Sequence, residues 1–83
     1  MPQFKAKIEV RFKDGVLDPQ GEAIKNALIN LGNSGVHAVG TGKLFWVDLN
    51  ADSPQEAQRI AAVLADQLLA NPVIENYGVE ILK

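Results

Sequence analysis

Strict alternation of apolar and charged residues near the N-terminus constrains the fold more than any other feature of this chain. From Phe4 to Phe12 every second residue is apolar, and the residues between them are charged. A period of two sustained over this length predicts a β-strand with one buried face and one solvated face. A strand of this kind requires further strands beside it and a second layer over its apolar face.

Two amphipathic helices are predicted from their start and stop signals. Asp18 is suited to be the N-cap of the first helix, and Pro19 is suited to its first position. Gly32 is suited to the left-handed C-cap. This helix is therefore expected from Pro19 to Leu31. The segment Ser53–Glu56 is a capping box with proline at the first helical position, which predicts a second helix that ends before Pro72.

The remaining segments are predicted to be extended. The segment Val36–Ala51 is expected to form one broken strand or two strands, interrupted near Gly40–Gly42 by a bulge or tight hairpin whose glycines need positive φ. The final strand is expected over Val73–Leu82, where Gly78 marks either a bulge or a close approach of another backbone.

This order of elements predicts one domain over residues 1–83, with both helices returning the chain to the same sheet. The expected fold class is α+β: a two-layer sandwich of ferredoxin-like βαββαβ order, with an antiparallel sheet and two helices on one face.

A chain of 83 residues buries a thin core, and it has no cysteine with which to reinforce one. Leu44 and Trp46 alternate with the inward residues of the middle strand, so they are expected on the far face of the sheet. One interpretation is that another part of the same monomer covers this far face. We favour self-association through Leu44 and Trp46, because a two-layer domain has nothing left to cover that face. The lack of cysteine favours a cytoplasmic protein.

The sequence predicts no catalytic residue, metal or cofactor. His37 is the only imidazole, and it is expected to be a strand residue with a structural partner. The stretch Gly40–Lys43 lacks the spacing of a phosphate-binding P-loop, and no two acidic residues suggest a general acid and base. With a net charge of −2 and no long apolar run, neither nucleic acid nor a membrane is an expected partner.

Three stretches resemble one family: LDPQG at 17–21, the pair Gly42-Lys43, and LLANPVIENY at 68–77. In these stretches, in length and in element order the chain resembles PurS, the small subunit of phosphoribosylformylglycinamidine synthase. The resemblance implies a non-catalytic subunit that bridges a glutaminase subunit and a large ATP-dependent synthetase subunit and supports ammonia transfer between them. It also implies a homodimer or tetramer. Family members often carry Arg where this chain has Gly40, so a contact made by that Arg is absent here or supplied elsewhere.

On this basis we expect two partner-docking regions, with these residues: Asp18, Pro19, Gln20, Gly21, Gly42, Lys43, Asn71, Pro72 and Glu75. A glycine in the first turn of a helix lowers stability by about 1 kcal/mol relative to alanine, so the presence of Gly21 requires an explanation. Approach of a partner chain is one reason, and close packing within the chain is the other. Two alternatives remain for the whole protein: a free-standing regulatory module that binds a small molecule at a dimer interface, and, with less support, a small enzyme.

Overall fold

Three antiparallel strands form one sheet in the computed structural model, which describes residues 2–82. The strands are β1 (Gln3–Phe12), β2 (Gly42–Asn50) and β3 (Glu75–Ile81), and their order in the sheet is β2-β1-β3. The strand predicted from alternation is therefore the central one, which pairs with both neighbours.

The helix α2 (Pro54–Leu64) covers one face of this sheet, which we call the helix face. Ala6, Ile8 and Val10 of β1 are fully buried there. Their cross-strand neighbours include Phe45 and Val47 of β2, and these pack against the same core. The predicted inward face of β2 is confirmed. Alanines at the contact positions of α2 let the helix lie close to the strands.

The predicted caps of both helices are confirmed. Ser53 accepts a hydrogen bond from the N–H of Glu56 at 3.1 Å, as a capping box requires. The other helix, α1 (Pro19–Asn30), begins after Asp18 as predicted. Gly32 follows its C-cap residue, Leu31, with a φ of 102°, which is the left-handed conformation expected there.

A single π-helical turn, Ala65–Leu69, continues α2. The N–H of Ala70 donates to the carbonyl of Ala65 at 2.9 Å, which is the wider spacing of a π-helix. A turn follows, in which the N–H groups of Ile74 and Glu75 both donate to the carbonyl of Asn71. The last strand consequently begins at Glu75 rather than at the predicted Val73, and its ladder runs past Gly78 without a bulge.

Helix α1 stands apart from the sheet. Among residues 2–82 it makes far less contact with the strands than α2 does, and Gly21 is its only buried residue. The radius of gyration is 16.4 Å and the longest extent 53 Å, whereas a compact chain of this length has a radius near 12 Å. The helix has a predicted apolar stripe, which consists of Ala23, Ile24, Ala27, Leu28 and Leu31. This stripe is largely uncovered, since α2 and the π turn already occupy the helix face.

The segment from Val36 to Thr41 contains no strand, so the predicted broken strand starts only at Gly42. The α+β class with ferredoxin-like order is confirmed. Within the part of the chain described, no helix has the length and apolar character needed to cross a membrane.

Candidate functional site

The residues that the sequence predicts for docking gather at one end of the sheet. At this end β1 finishes, β2 and β3 begin, and α1 starts. The segment from Asp18 to Gly21, the segment from Thr41 to Lys43 and the segment from Asn71 to Glu75 are joined there by hydrogen bonds and one ion pair. Sequence reasoning placed them in two regions, and the structure unites them.

The carboxylate of Asp18 holds α1 to the loop that precedes β2. One oxygen accepts the N–H of Gly21 at 2.9 Å, which caps the helix. The other accepts the N–H of Thr41 at 2.7 Å, and the Thr41 hydroxyl lies within 3.0 Å of both oxygens. We call these contacts the Asp18–Thr41 latch. Hydrogen bonds from the Gly21 and Thr41 N–H groups favour the ionised form and hold the pKa of Asp18 below its ordinary value.

Gly21 has a reason inside the chain for lacking a side chain. A Cβ atom there would lie 2.3 Å from the carbonyl oxygen of Val39 and 2.9 Å from a carboxylate oxygen of Asp18. The latch draws the loop across this point, so the backbone of the loop occupies the space that a side chain would need. Close packing within the chain therefore accounts for Gly21, and partner docking is not needed to explain it.

Gly42 is required because another backbone segment lies close to it, and not because of its own backbone conformation. A Cβ atom at this position would lie 2.7 Å from the carbonyl oxygen of Val10. The prediction that the glycines of the GTG turn need positive φ is wrong, because among the glycines of residues 2–82 only Gly15 and Gly32 have positive φ. Gly42 instead lets β2 begin directly against β1.

Asn71 and Glu75 lock the turn that leads into β3. A carboxylate oxygen of Glu75 accepts the N–H of Asn71 at 2.7 Å, and the N–H of Glu75 donates to the Asn71 carbonyl at the same distance. The Asn71 side chain accepts the N–H of Val73 at 3.1 Å. Only 9% of the Glu75 side chain is exposed, and Lys43 approaches it to 4.0 Å. Both residues therefore have structural roles within the chain.

A small cavity of about 120 Å³ lies between the latch and the locked turn. Its polar lining consists of Arg11, Gln20, Thr41, Lys43 and Glu75. Around this cavity the exposed members of the predicted set face solvent: Pro19, Gln20, Gly42, Lys43, Asn71 and Pro72. Asp18, Gly21 and Glu75 are the less accessible members, and they fix the shape of the surface that the others present.

Leu44 and Trp46 lie on the opposite face of the sheet, which we call the open face. Their register neighbours on β1 are Glu9 and Lys7. Trp46 is 59% exposed and Leu44 42% exposed, so the predicted outward orientation is confirmed. His37 is exposed in the irregular segment before β2, not in the strand where it was expected.

Sequence reasoning missed Thr41, which is the second half of the latch. Its only signal was its position between two glycines, which suggested a turn rather than a side-chain partner for the helix cap. Thr41 lies 23 positions after Asp18, so no local sequence pattern indicates this contact.

Comparison with known proteins identifies the family. The family model PurS, described as phosphoribosylformylglycinamidine (FGAM) synthase, matches residues 5–83. The chain belongs to the PurS family. The PurS subunit of phosphoribosylformylglycinamidine synthase from Archaeoglobus fulgidus is 45% identical over 74 residues, which cover 89% of this chain and 92% of that one.

Solved structures of PurS proteins share the fold. A chain from the structure of PurLQS from Thermotoga maritima has a TM-score of 0.87 and 34% identity, covering 99% of this chain and 100% of its own length. PurS of Methanocaldococcus jannaschii has a TM-score of 0.85 and 32% identity, with 96% of each chain covered. The predicted assignment to the PurS subunit of phosphoribosylformylglycinamidine synthase, in purine biosynthesis, is confirmed.

Proposed function

We propose that this chain is the non-catalytic bridge between the glutaminase and ATP-dependent synthetase subunits of the synthase and that it supports ammonia transfer between them in the cytoplasm. The observation that carries this proposal is the match, over 99% of this chain, to a chain of the Thermotoga maritima PurLQS structure. The alternative of a free-standing regulatory module is not favoured, because that match leaves almost no part of the chain outside the PurS pattern.

The arrangement of polar groups supports a role without catalysis. The sequence has no cysteine and a single histidine, which is exposed. Asp18 and Glu75 are the carboxylates most firmly held at the sheet end, and both accept backbone N–H groups that stabilise the local structure. Their hydrogen bonds hold in place the backbone segments that form the surface that we propose for docking.

Docking is proposed at the exposed residues around the small cavity: Pro19, Gln20, Gly42, Lys43, Asn71 and Pro72. The latch and the locked turn hold these residues in fixed relative positions, which reduces the conformational entropy that binding must remove. In this proposal Asp18, Gly21 and Glu75 contribute through the shape of the surface.

A homodimer or tetramer is proposed through two uncovered apolar surfaces. Leu44 and Trp46 form the first, on the open face. The stripe of α1, with its C-cap residue, is the second, where Leu31 is 79% exposed and Ile24 is 38% exposed. Apolar surface left in water disfavours a solitary chain, and burial against a second copy removes that cost.

A matched pair of glutamine substitutions tests the docking proposal. Gln20 and Gln55 each follow the proline that opens a helix, and both are exposed. Gln20→Ala is expected to fold normally but to co-elute less with the purified glutaminase and synthetase subunits on size exclusion. Gln55→Ala is expected to co-elute as the unsubstituted chain does. Equal co-elution of both variants would reject docking at the sheet end.

A further inference from the structure

Strand β2 lies at the edge of the sheet but has the sequence of an interior strand. Its residues 44–47 read LFWV, so large apolar side chains point towards both faces of the sheet. The central strand β1 instead alternates apolar and charged residues. Continuous apolar runs are typical of strands that are buried on both faces. The monomer does not give β2 that cover, because Leu44 and Trp46 remain exposed.

The outer edge of β2 presents unpaired backbone groups. The N–H of Ala51 donates to the carbonyl of Pro2 at 3.1 Å, and the ladder with β1 continues along the whole strand. Hydrogen-bonded pairs alternate along an antiparallel ladder, so the N–H and C=O groups of Leu44, Trp46 and Asp48 point away from β1. Among residues 2–82 no strand pairs with this edge. The edge also has neither a proline nor a bulge that would prevent pairing.

The other edge of the sheet, along β3, is protected. The side-chain amide of Gln58 donates to the carbonyl of Val79 at 3.2 Å, which occupies a backbone group of that edge. Sheets protect the edges that stay in solvent, because an open edge is a template for pairing with another chain. The contrast between the two edges indicates that the edge of β2 is used for pairing.

We infer that β2 pairs antiparallel with β2 of a second copy, with the 44–47 runs of the two copies opposite each other. The inference rests on the proposed self-association and gives it a geometry. The two three-stranded sheets join into one sheet of strand order β3-β1-β2-β2-β1-β3, and a two-fold axis perpendicular to the sheet relates the copies. In this sheet β2 has the interior position that its sequence indicates.

The rest of the open face favours contact at the edge over stacking of two sheets. Within the three strands, the large apolar residues of this face are Leu44 and Trp46, both on β2. Stacking two open faces would remove charged pairs from water, which is costly. Pairing at the edge covers the apolar residues and leaves the charged pairs solvated. These pairs, at N–O distances between 3.1 and 3.9 Å, are Lys5–Asp48, Lys7–Glu80 and Arg11–Glu9.

The run is complementary to itself, which identifies the occupant of the edge as a second copy. Two-fold antiparallel pairing keeps open-face residues opposite open-face residues, so Leu44 and Trp46 meet the same two residues of the other copy. The helix-face members of the run are only partly buried in the monomer, and they likewise meet their counterparts. Cross-strand pairs of aromatic and aliphatic side chains stabilise a sheet. The Lys43 end of one run lies beside the Asp48 end of the other, so like charges stay apart.

A matched pair of substitutions at Asp48 tests the inference. Asp48→Pro removes a backbone N–H that points to the free edge, whereas Asp48→Ala removes the same carboxylate and keeps that N–H. Sedimentation equilibrium of the full chain measures the dissociation constant of the homo-oligomer. We expect this constant to be roughly tenfold to hundredfold higher for Asp48→Pro than for Asp48→Ala, because each copy loses a hydrogen bond to the other. Circular dichroism checks that both variants fold.

Nuclear magnetic resonance of the unsubstituted chain gives a measurement that depends on no variant. In a mixture of isotope-labelled and unlabelled copies, we expect intermolecular nuclear Overhauser effects between residues 44–48 of the two copies. Trp46 is the only tryptophan, so the signals of its indole ring are unambiguous. We expect no intermolecular effects from β3, whose edge is protected.

The outcomes separate this inference from the proposed function. A chain that stays monomeric at every concentration rejects the proposed self-association and the inference with it, whereas docking to the other subunits is tested separately by the pair Gln20→Ala and Gln55→Ala. If the chain self-associates but the two Asp48 variants have equal dissociation constants, only the inference is overturned. Intermolecular effects that are confined to residues outside 44–48 also overturn it, whether or not Asp48→Pro folds. Intermolecular effects within 44–48, with weaker association of a folded Asp48→Pro chain, support it.

Discussion

Replacement of Gly21 by alanine is the sharpest test of how the candidate site is held together. The added Cβ atom would lie 2.3 Å from the Val39 carbonyl oxygen. That oxygen belongs to the backbone, so relief requires movement of the loop that carries Thr41. Overpacking of this kind costs about 1–3 kcal/mol, while alanine in a helix regains about 1 kcal/mol over glycine. When the loop moves far enough to open the latch, the lost hydrogen bonds add to the cost.

These two effects together lower the free energy of unfolding by about 0–2 kcal/mol, and weakened hydrogen bonds of the latch bring the expected loss to about 1–2 kcal/mol. For a chain of this size that lowers the melting temperature by roughly 4–16 °C. Circular dichroism of the isolated chain measures it, at several protein concentrations because oligomers make the melting temperature depend on concentration. Gly35→Ala is the matched control, since its Cβ atom meets nothing and its φ is ordinary. A Gly21→Ala chain as stable as the Gly35→Ala chain would refute the close-approach explanation.

Three further predictions concern the latch, the core and self-association. The pKa of Asp18 is lowered by folding, so its contribution to stability is present above its ordinary pKa near 4 and is lost as the pH falls through the lower folded value. In thermal melts from pH 7 to pH 3, the melting temperature of the unsubstituted chain should therefore fall towards that of Asp18→Asn. A constant difference between the two melting temperatures would contradict this. Because Ile8 is fully buried, urea unfolding should show that Ile8→Ala lowers the free energy of unfolding by about 2–5 kcal/mol and Ile8→Val by about 0.5–1.5 kcal/mol. Equal losses for the two variants would argue against a tightly packed core. Trp46→Asp should dissociate the proposed homo-oligomer on size exclusion, since an unpaired charge in an interface is costly. An unchanged elution volume would argue against the proposed place of Trp46 in that interface.

Local patterns predicted the elements well, because each pattern is a direct trace of burial or capping. The alternation around Ile8 identified the central strand, and the Asp-Pro and Ser-Pro pairs identified both helix starts. The same rules failed where the cause lies far away in the chain. Glycine is needed at Gly21 because the backbone of Val39 lies close, and at Gly42 because the backbone of Val10 lies close. The residues beside each glycine in the sequence give no sign of these contacts.

The position of α1 was the other feature that local patterns did not predict. An apolar stripe indicates that a helix has a buried face, but it does not say which surface covers that face. In this chain α2 and its π turn cover the buried residues of β1. The stripe of α1 is thus left uncovered among residues 2–82, as are Leu44 and Trp46.

Reconstitution with separate nitrogen sources tests the central claim most directly. The purified glutaminase and synthetase subunits are assayed for amidine formation with and without this chain, first with glutamine and then with ammonium as the nitrogen donor. A bridging subunit predicts that glutamine-dependent formation requires the chain and that ammonium-dependent formation does so far less. Equal glutamine-dependent formation without the chain, or glutamine hydrolysis or ATP turnover by the purified chain alone, would contradict the account.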